Sequence, residues 1–254
     1  MITIKSSSDI ERMDVAGTIV EKTLSLMESI VRVGISTDEM NREADLFIRS
    51  QGAVPSFLNY NGYPKSICTS VNGQVVHGIP GSYRLKDGDI VSVDVGAVIN
   101  GFHGDAARTF LVGNVSEDTR KLVDVTKECF FVGLKYAKPG YRIGDIGHAI
   151  QEYAESFGYG VVREMIGHGI GRNMHEEPDV PNYGVAGRGV RLEAGMTIAI
   201  EPMINMGTAH IKQLSDGWTV VTADSKPSAH YENTVAITDG EPQLLTLHED
   251  GVEC

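Results

Sequence analysis

Cysteine is scarce in this sequence. Cys68, Cys129 and Cys254 are odd in number and far apart, which argues against a disulfide framework or a cysteine-built zinc site and leaves reduced thiols as the expectation. Positive charge is scarce too. Lys and Arg total 22 against 34 Asp and Glu, for a net charge of −12 with no basic cluster. Sequence-independent binding to nucleic acid or to an anionic membrane is therefore not expected. No apolar run is long enough to cross a bilayer, and the start, Met1-Ile2-Thr3-Ile4-Lys5-Ser6-Ser7-Ser8-Asp9, lacks the apolar core of a signal peptide, so a cytoplasmic protein is expected. No Ser/Pro-rich linker divides the 254 residues, 41% of which are hydrophobic. That length and composition suffice for a sizeable core, and one domain over 1–254 is the expectation.

What the chain does have centres on the stretch from Ile90 to Phe110. Two runs rich in Val, Ala and Phe flank Asn100-Gly101, a dipeptide that supplies the two positive-φ positions of a tight hairpin turn. Closing Ile99 on Phe102 sets Asp94 opposite Ala107 and Asp105 opposite Gly96, so both carboxylates lie on one face as diagonal neighbours. A bulge at Gly104 would bring them directly opposite. Two aspartates crowded on an otherwise apolar sheet face repel each other and lose hydration, a cost that a divalent cation or a shared proton offsets. Taken alone, the pair fits the wet side of a hairpin equally well.

The rest of the chain supplies helices, short strands and a turn-rich aromatic segment. Ser8 and Glu11 form a capping box before a first amphipathic helix through Ile10, Met13, Val20, Leu24, Met27 and Val31, stopped by Gly34. A second helix runs from Ser36 or Thr37 through Met40, Ala44, Phe47 and Ile48 to Gly52. The segment Val54 to Pro64 carries Phe57, Tyr60 and Tyr63, which a solvated loop would not normally expose; they patch the core edge or line an apolar pocket. Strands are expected at Ile67 to Ser70, Val75-Val76, Val161-Val162, Met196 to Glu201, Thr219 to Thr222 and Thr234 to Thr238. A third helix opens at Ser116 and closes at Pro139-Gly140, and a fourth covers Gly144 to Phe157.

The chain also repeats itself weakly. Leu192 to Glu201 matches Leu85 to Asp94 at a constant offset and sets Glu201 on Asp94. Gly140 to Gly158 matches Gly34 to Gly52, His168-Gly169-Ile170 echoes His77-Gly78-Ile79, and His230-Tyr231-Glu232 echoes His103-Gly104-Asp105. Two pseudo-twofold halves, about 1–112 and 113–254, would bring Asp94, Asp105, Glu201 and Glu232 together with at least one histidine. Four carboxylates and one imidazole around two divalent cations leave little net charge, which is what allows so many acids to be buried together. Bridging carboxylates hold two ions roughly 3.5–4 Å apart, the spacing at which a shared water is activated and a carbonyl polarised. The mostly oxygen ligand set suits Mn, Fe, Co or Zn. Of the eight histidines, His103, His148, His210, His230 and His248 are read as surface or structural residues, although His230 sits within reach of Glu232. His77, His168 and His175 lie in glycine-rich turns beside apolar strands and are read as functional.

At these residues the chain resembles the type I, bacterial, methionine aminopeptidases. The motifs are His77-Gly78-Ile79-Pro80, Val93-Asp94-Val95-Gly96, Gly104-Asp105, Gly167-His168-Gly169-Ile170-Gly171, His175-Glu176-Glu177-Pro178, Ile200-Glu201-Pro202 and Glu232-Asn233-Thr234. The resemblance implies the α+β pita-bread (creatinase/aminopeptidase) fold, with an antiparallel sheet inside and helices on its outer face. It implies that Asp94, Asp105, His168, Glu201 and Glu232 ligate two divalent metals, with Asp105 and Glu232 bridging. A metal-bridging hydroxide would attack the scissile carbonyl, with Glu201 in the catalytic set, His77 touching the scissile amide and His175 stabilising the tetrahedral intermediate. It implies a methionine pocket lined by Phe57, Tyr60, Tyr63, Cys68, His77 and Trp218, with Met174 touching its rim and His175 also binding substrate. The implied reaction removes initiator methionine from nascent chains, by meeting them at the ribosome as a monomer, when the second residue is small.

Two departures from the family pattern stand out. Met174 replaces the usual Phe, and Ala106 follows the second aspartate where Thr is common, removing a possible outer hydroxyl; tuned specificity or metal affinity is expected. A prolidase or Xaa-Pro aminopeptidase would share the five ligands but usually carries an additional N-terminal domain. A non-catalytic peptide-binding module would have shed ligands, and a two-metal phosphatase would need an Arg or Lys cluster to hold phosphate.

Overall fold

The structure is a computed structural model and describes residues 1–248; Cys254 lies outside them. Helices α1 (Ser7–Ile30) and α2 (Thr37–Ser50) precede strands β1 (Val54–Pro55), β2 (Ile67–Val71), β3 (Gln74–Val76), β4 (Ile90–Ile99) and β5 (Phe102–Leu111). Helices α3 (Glu117–Leu134) and α4 (Ile143–Ser156) follow. The remaining strands are β6 (Gly160–Val161), β7 (Gly167–Gly169), β8 (Glu176–Val180), β9 (Thr197–Ile200), β10 (Met203–Asn205), β11 (Ile211–Gln213), β12 (Val220–Thr222), β13 (Ser228–His230), β14 (Asn233–Ala236) and β15 (Gln243–Leu244).

The β4–β5 hairpin pairs without a break from Ile90↔Leu111 to Ile99↔Phe102, which places Asp94 opposite Ala107 and Asp105 opposite Gly96. Asn100 and Gly101 take φ of 52° and 78°, the left-handed pair the turn requires. Gly104 makes no bulge. It is where α1 crosses the hairpin: a Cβ there would lie 2.8 Å from the Gly17 amide nitrogen, and one on Gly17 would lie 1.7 Å from the Leu245 carbonyl oxygen. Gly17→Ala should therefore cost stability, by at least the roughly 1–3 kcal/mol of an overpacked core. A urea midpoint unchanged from wild type would show that the α1 crossing can relax.

Alternation along the strands decides which side chains meet. Val91, Val93, Val95 and Ala97 of β4 pack with Val20, Leu24 and Met27 of α1 and Met40 and Ile48 of α2, so Asp94 and Gly96 fall on the opposite face. Ile198 and Ile200 of β9 and Val235 of β14 pack with Leu122, Val125 and Phe130 of α3 and Ile146 and Ile150 of α4. Glu201 and Glu232, one and three residues from those anchors, likewise fall on the helix-free face. Strand β5 then stitches the two layers together. Glu232 and Ala107 exchange backbone hydrogen bonds of 3.0 and 3.4 Å. The Thr234 hydroxyl joins Asp105 by accepting from its N–H and donating to its carbonyl, and the Thr109 hydroxyl does the same with His230.

Two expected helix starts move, and the third helix ends at Leu134, short of the expected stop at Pro139-Gly140. The first capping box is Ser6 with Asp9 rather than Ser8 with Glu11. Lys5 is held extended by its N–H to Gly195 carbonyl bond of 2.7 Å and by its buried ammonium on Glu176, so the helix begins as soon as that anchor ends. The fourth helix starts at Ile143, with the Asp145 carboxylate accepting from the Arg142 N–H at 2.7 Å. Gly144 lies inside that helix, where a Cβ would meet two carbonyls at 2.6 Å. Among the described residues no helix is long and apolar enough to cross a membrane.

Candidate metal centre and substrate cavity

Six titratable side chains converge where β5 meets the C-terminal sheet: Asp94, Asp105, His168 and His230 from β4, β5, β7 and β13, Glu201 just past β9 and Glu232 between β13 and β14. Asp105 and Glu232 are buried, 3% and 1% exposed, and Asp94 and Glu201 are half-buried. The His168 Nε2 lies 3.8 Å from Asp105 Oδ2 and 3.7 Å from Glu201 Oε1. The His168 Nδ1 is 2.8 Å from the Gly169 carbonyl oxygen; a carbonyl only accepts, so Nδ1 carries the proton and Nε2 presents its lone pair to the acids. Burial, aided by the nearby His175, pushes the His168 pKa down to about 3, keeping the ring neutral.

The acids are starved of protein partners. Asp94 Oδ1, Asp105 Oδ1 and Glu232 Oε1 are buried without a hydrogen bond. Burial first, and then the neighbouring acids, raise the carboxyl pKa values of Asp105, Glu201 and Glu232 well above the ordinary range. Burial also raises that of Asp94, against a smaller lowering influence of Asp105 and the Val95 backbone. Arg108, a half-buried cation nearby, spends its guanidinium on the Ala107 and Glu232 carbonyls and on Asn233 Oδ1, at 2.8, 2.6 and 2.7 Å. It fixes the backbone carrying Glu232 and lowers that residue's pKa less than burial and the neighbouring acids raise it, but it gives the carboxylate oxygens no hydrogen bond. Orphaned oxygens, a neutral imidazole lone pair and, among the described residues, no cation bonded to the carboxylates fit divalent cations. Donor atoms of Asp105, His168 and Glu232 lie within 4.8 Å of one another, and so do those of Asp94, His230 and Glu232.

His230, read as surface or structural though within reach of Glu232, is brought to the acids by the fold. It is 2% exposed, and its Nε2 sits 3.8 Å from both Glu201 Oε2 and Glu232 Oε2. Its position two residues before Glu232 was the available signal. The other four histidines so read lie elsewhere. His103 hydrogen-bonds Ser56 at 2.8 Å, His148 faces Glu152, His210 is exposed and His248 bonds Glu21 and Asp14.

The acids form one end of a cavity of about 200 Å³, which continues between Phe57, Tyr60, Asn61, Tyr63, Cys68, His77, Met174, His175 and Trp218. Asn61 is the lining residue that sequence reasoning missed. Cys68 pairs with Asp94 across β2 and β4. Gly96 makes room for the pocket wall, since a Cβ there would come within 2.7 Å of the Phe57 ring. Tyr63 donates to the Gly78 carbonyl at 2.9 Å and meets Trp218 edge-on at 5.1 Å. His77 takes a left-handed φ of 59° and stands edge-on to Trp218 at 6.4 Å, a strained backbone of the kind that gathers at functional sites. The His175 ring lies 4.1 Å from that of His168, and its Nδ1 is 2.7 Å from the Tyr60 hydroxyl. Met174 is buried in this wall. Ala106 is not part of it: it packs on the helix side, so a hydroxyl there would face away from the acids.

Comparison with known proteins agrees with this geometry. Residues 11–239 match the model of metallopeptidase family M24. A methionine aminopeptidase of Clostridium perfringens is 56% identical over 97% of this chain and 99% of its own. The crystal structure of methionine aminopeptidase from Rickettsia prowazekii superposes with a TM-score of 0.96 at 42% identity, covering 97% of this chain and all of that one. Prolidase from Pyrococcus furiosus shares the fold with a TM-score of 0.78 at 25% identity, but this chain spans only 66% of it. The chain belongs to metallopeptidase family M24, and within it to the bacterial methionine aminopeptidases. The fold is accordingly pita-bread α+β, and the family implies divalent metal.

Proposed function

We propose that this chain is a dinuclear-metal methionyl aminopeptidase that removes the initiator methionine from nascent proteins when the second residue is small. The observation that carries the reading is one cavity with an acid-and-imidazole end and an aromatic, sulfur-lined end. Asp94, Asp105, His168, Glu201 and Glu232 would hold two ions of Mn, Fe, Co or Zn, Asp105 and Glu232 shared between them. Such ions, when bound, activate water near neutral pH and polarise the scissile carbonyl.

The chain's own residues do the rest. Phe57, Tyr60, Tyr63, Cys68 and Trp218, with Met174 buried in the same wall, take the methionine side chain, and His77 lines the pocket and contacts the scissile amide. His175 donates to the oxygen that gains charge during attack. Glu201, lying between the imidazoles of His168 and His230, belongs to the catalytic set. We place it in the cytoplasm as a monomer that meets nascent chains near the ribosome; the net charge of −12 without a basic cluster speaks against its gripping nucleic acid itself. Two separate helix-backed cores and the offset repeat support two pseudo-twofold halves meeting at the centre.

Cleavage should require a free N-terminal methionine followed by Ala, Gly, Ser, Thr, Pro, Cys or Val. An unbranched thioether gains contact with the aromatic walls that a smaller side chain lacks, worth roughly 1–3 kcal/mol. A long second side chain beside His77 and His175 would shift the scissile carbonyl, and a slip of ~1 Å costs ~10²-fold in rate. Kinetics on a Met-Xaa-Ser series alongside Ala-Pro-Ala decide it. Met-Lys-Ser cut as fast as Met-Ala-Ser, or Ala-Pro-Ala preferred, would sink the specificity while leaving the metal centre standing.

A further inference from the structure

The centre holds one more donor than the five residues assigned to it. His230 projects from β13, whose pairing with β10 sets it opposite Met203. Its backbone is pinned on both sides by Thr109, whose hydroxyl accepts from the His230 N–H at 3.0 Å and donates to its carbonyl at 2.9 Å. The ring is buried, yet its Nε2 has no hydrogen-bond partner. At 3.8 Å from Glu201 Oε2 and Glu232 Oε2 that nitrogen is too far for a hydrogen bond. It has instead the separation of two donors sharing one ion, since ligand bonds of about 2.0–2.2 Å place such atoms roughly 3–4 Å apart.

His168 shows the same spacing on the other side. Glu201 presents Oε1 to His168 at 3.7 Å and Oε2 to His230 at 3.8 Å, so the two imidazoles flank one carboxylate. The donor groups divide the same way, His168 with Asp105 and Glu232, His230 with Asp94 and Glu232. We infer that His230 is a sixth ligand, the nitrogen donor of the metal position that Asp94 holds. Each ion would then have one imidazole, and the Asp94 position would favour metals that accept nitrogen over the purely oxygen-seeking Mg or Ca.

The inference rests on the two-ion reading, and its test separates the two. The metal-free enzyme is titrated with Co(II) by calorimetry, and the loaded form is examined by proton NMR for contact-shifted histidine rings. Wild type should bind two equivalents and show two such rings. His230→Gln and His230→Ala should keep the ion at His168, lose one shifted ring, and bind the second ion at least about tenfold more weakly. A single shifted ring in doubly loaded wild type overturns the inference even if both variants fail to fold. So does unchanged affinity for the second ion in a folded variant. Wild type that takes up fewer than two equivalents overturns the two-ion reading itself and takes the sixth ligand with it.

Discussion

Asp94→Asn or Glu232→Gln should abolish hydrolysis and metal binding together. Both acids end in a buried oxygen with no protein partner, and Glu232 belongs to both donor groups. Two divalent cations in a low-dielectric cleft need the full carboxylate charge; removing one unit leaves them under-compensated, and a neutral amide is a poor replacement ligand. The metal-free variants should nevertheless unfold at or above the temperature of metal-free wild type. Without ions the acids repel one another and lose hydration, which is why their pKa values sit high, and deleting one charge relieves that cost. Calorimetric titration, thermal melts with and without EDTA, and Met-Ala-Ser turnover check the three parts. Full turnover at micromolar metal in either variant refutes the ligand assignment; a metal-free variant that melts well below wild type would mean the acids hold the fold rather than the ions.

The hairpin was legible because two local rules agree: Asn100-Gly101 fixes the turn, and alternation then fixes the face of every residue on both strands. The offset repeat likewise put Glu201 on Asp94, and both fall on the helix-free face. Failures came where a residue's role depends on tertiary neighbours. Ser6 and Ser8 both start plausible capping boxes, and only the buried Lys5–Glu176 pair chooses between them. Gly144 reads as punctuation in sequence, while in the fold it lets a loop carbonyl approach α4. The repeat equated His103 with His230, but His103 turns to Ser56 and His230 turns to the acids. A histidine's surroundings, not its spacing, separate those fates. His77 and His168 are likewise twins in the repeat; the family resemblance tells them apart, and the Gly169 hydrogen bond and the carboxylate distances turn His168 to the acids.

His175→Ala should lower turnover by ~10²–10³ while leaving both ions bound, since a hydrogen bond made chiefly to developing charge acts in the transition state. The geometry prepares the ring for that role. One side of it packs near His168, and burial of that side holds its pKa below the ordinary histidine value, so the ring is neutral at pH 7. With the Tyr60 hydroxyl 2.7 Å from Nδ1, the arrangement in which tyrosine donates leaves the proton on Nε2, the nitrogen free to face the substrate oxygen. Tyr60→Phe should therefore cost less than His175→Ala and act in the same direction, because the donor survives but its tautomer and orientation are no longer fixed. The split between kcat and KM on Met-Ala-Ser, measured with metal content for both variants, tests this: kcat should fall with KM little changed. Metal lost in step with rate in His175→Ala would make His175 a ligand or a fold residue. A Tyr60→Phe enzyme slower than His175→Ala would place the catalytic hydrogen bond on the tyrosine instead.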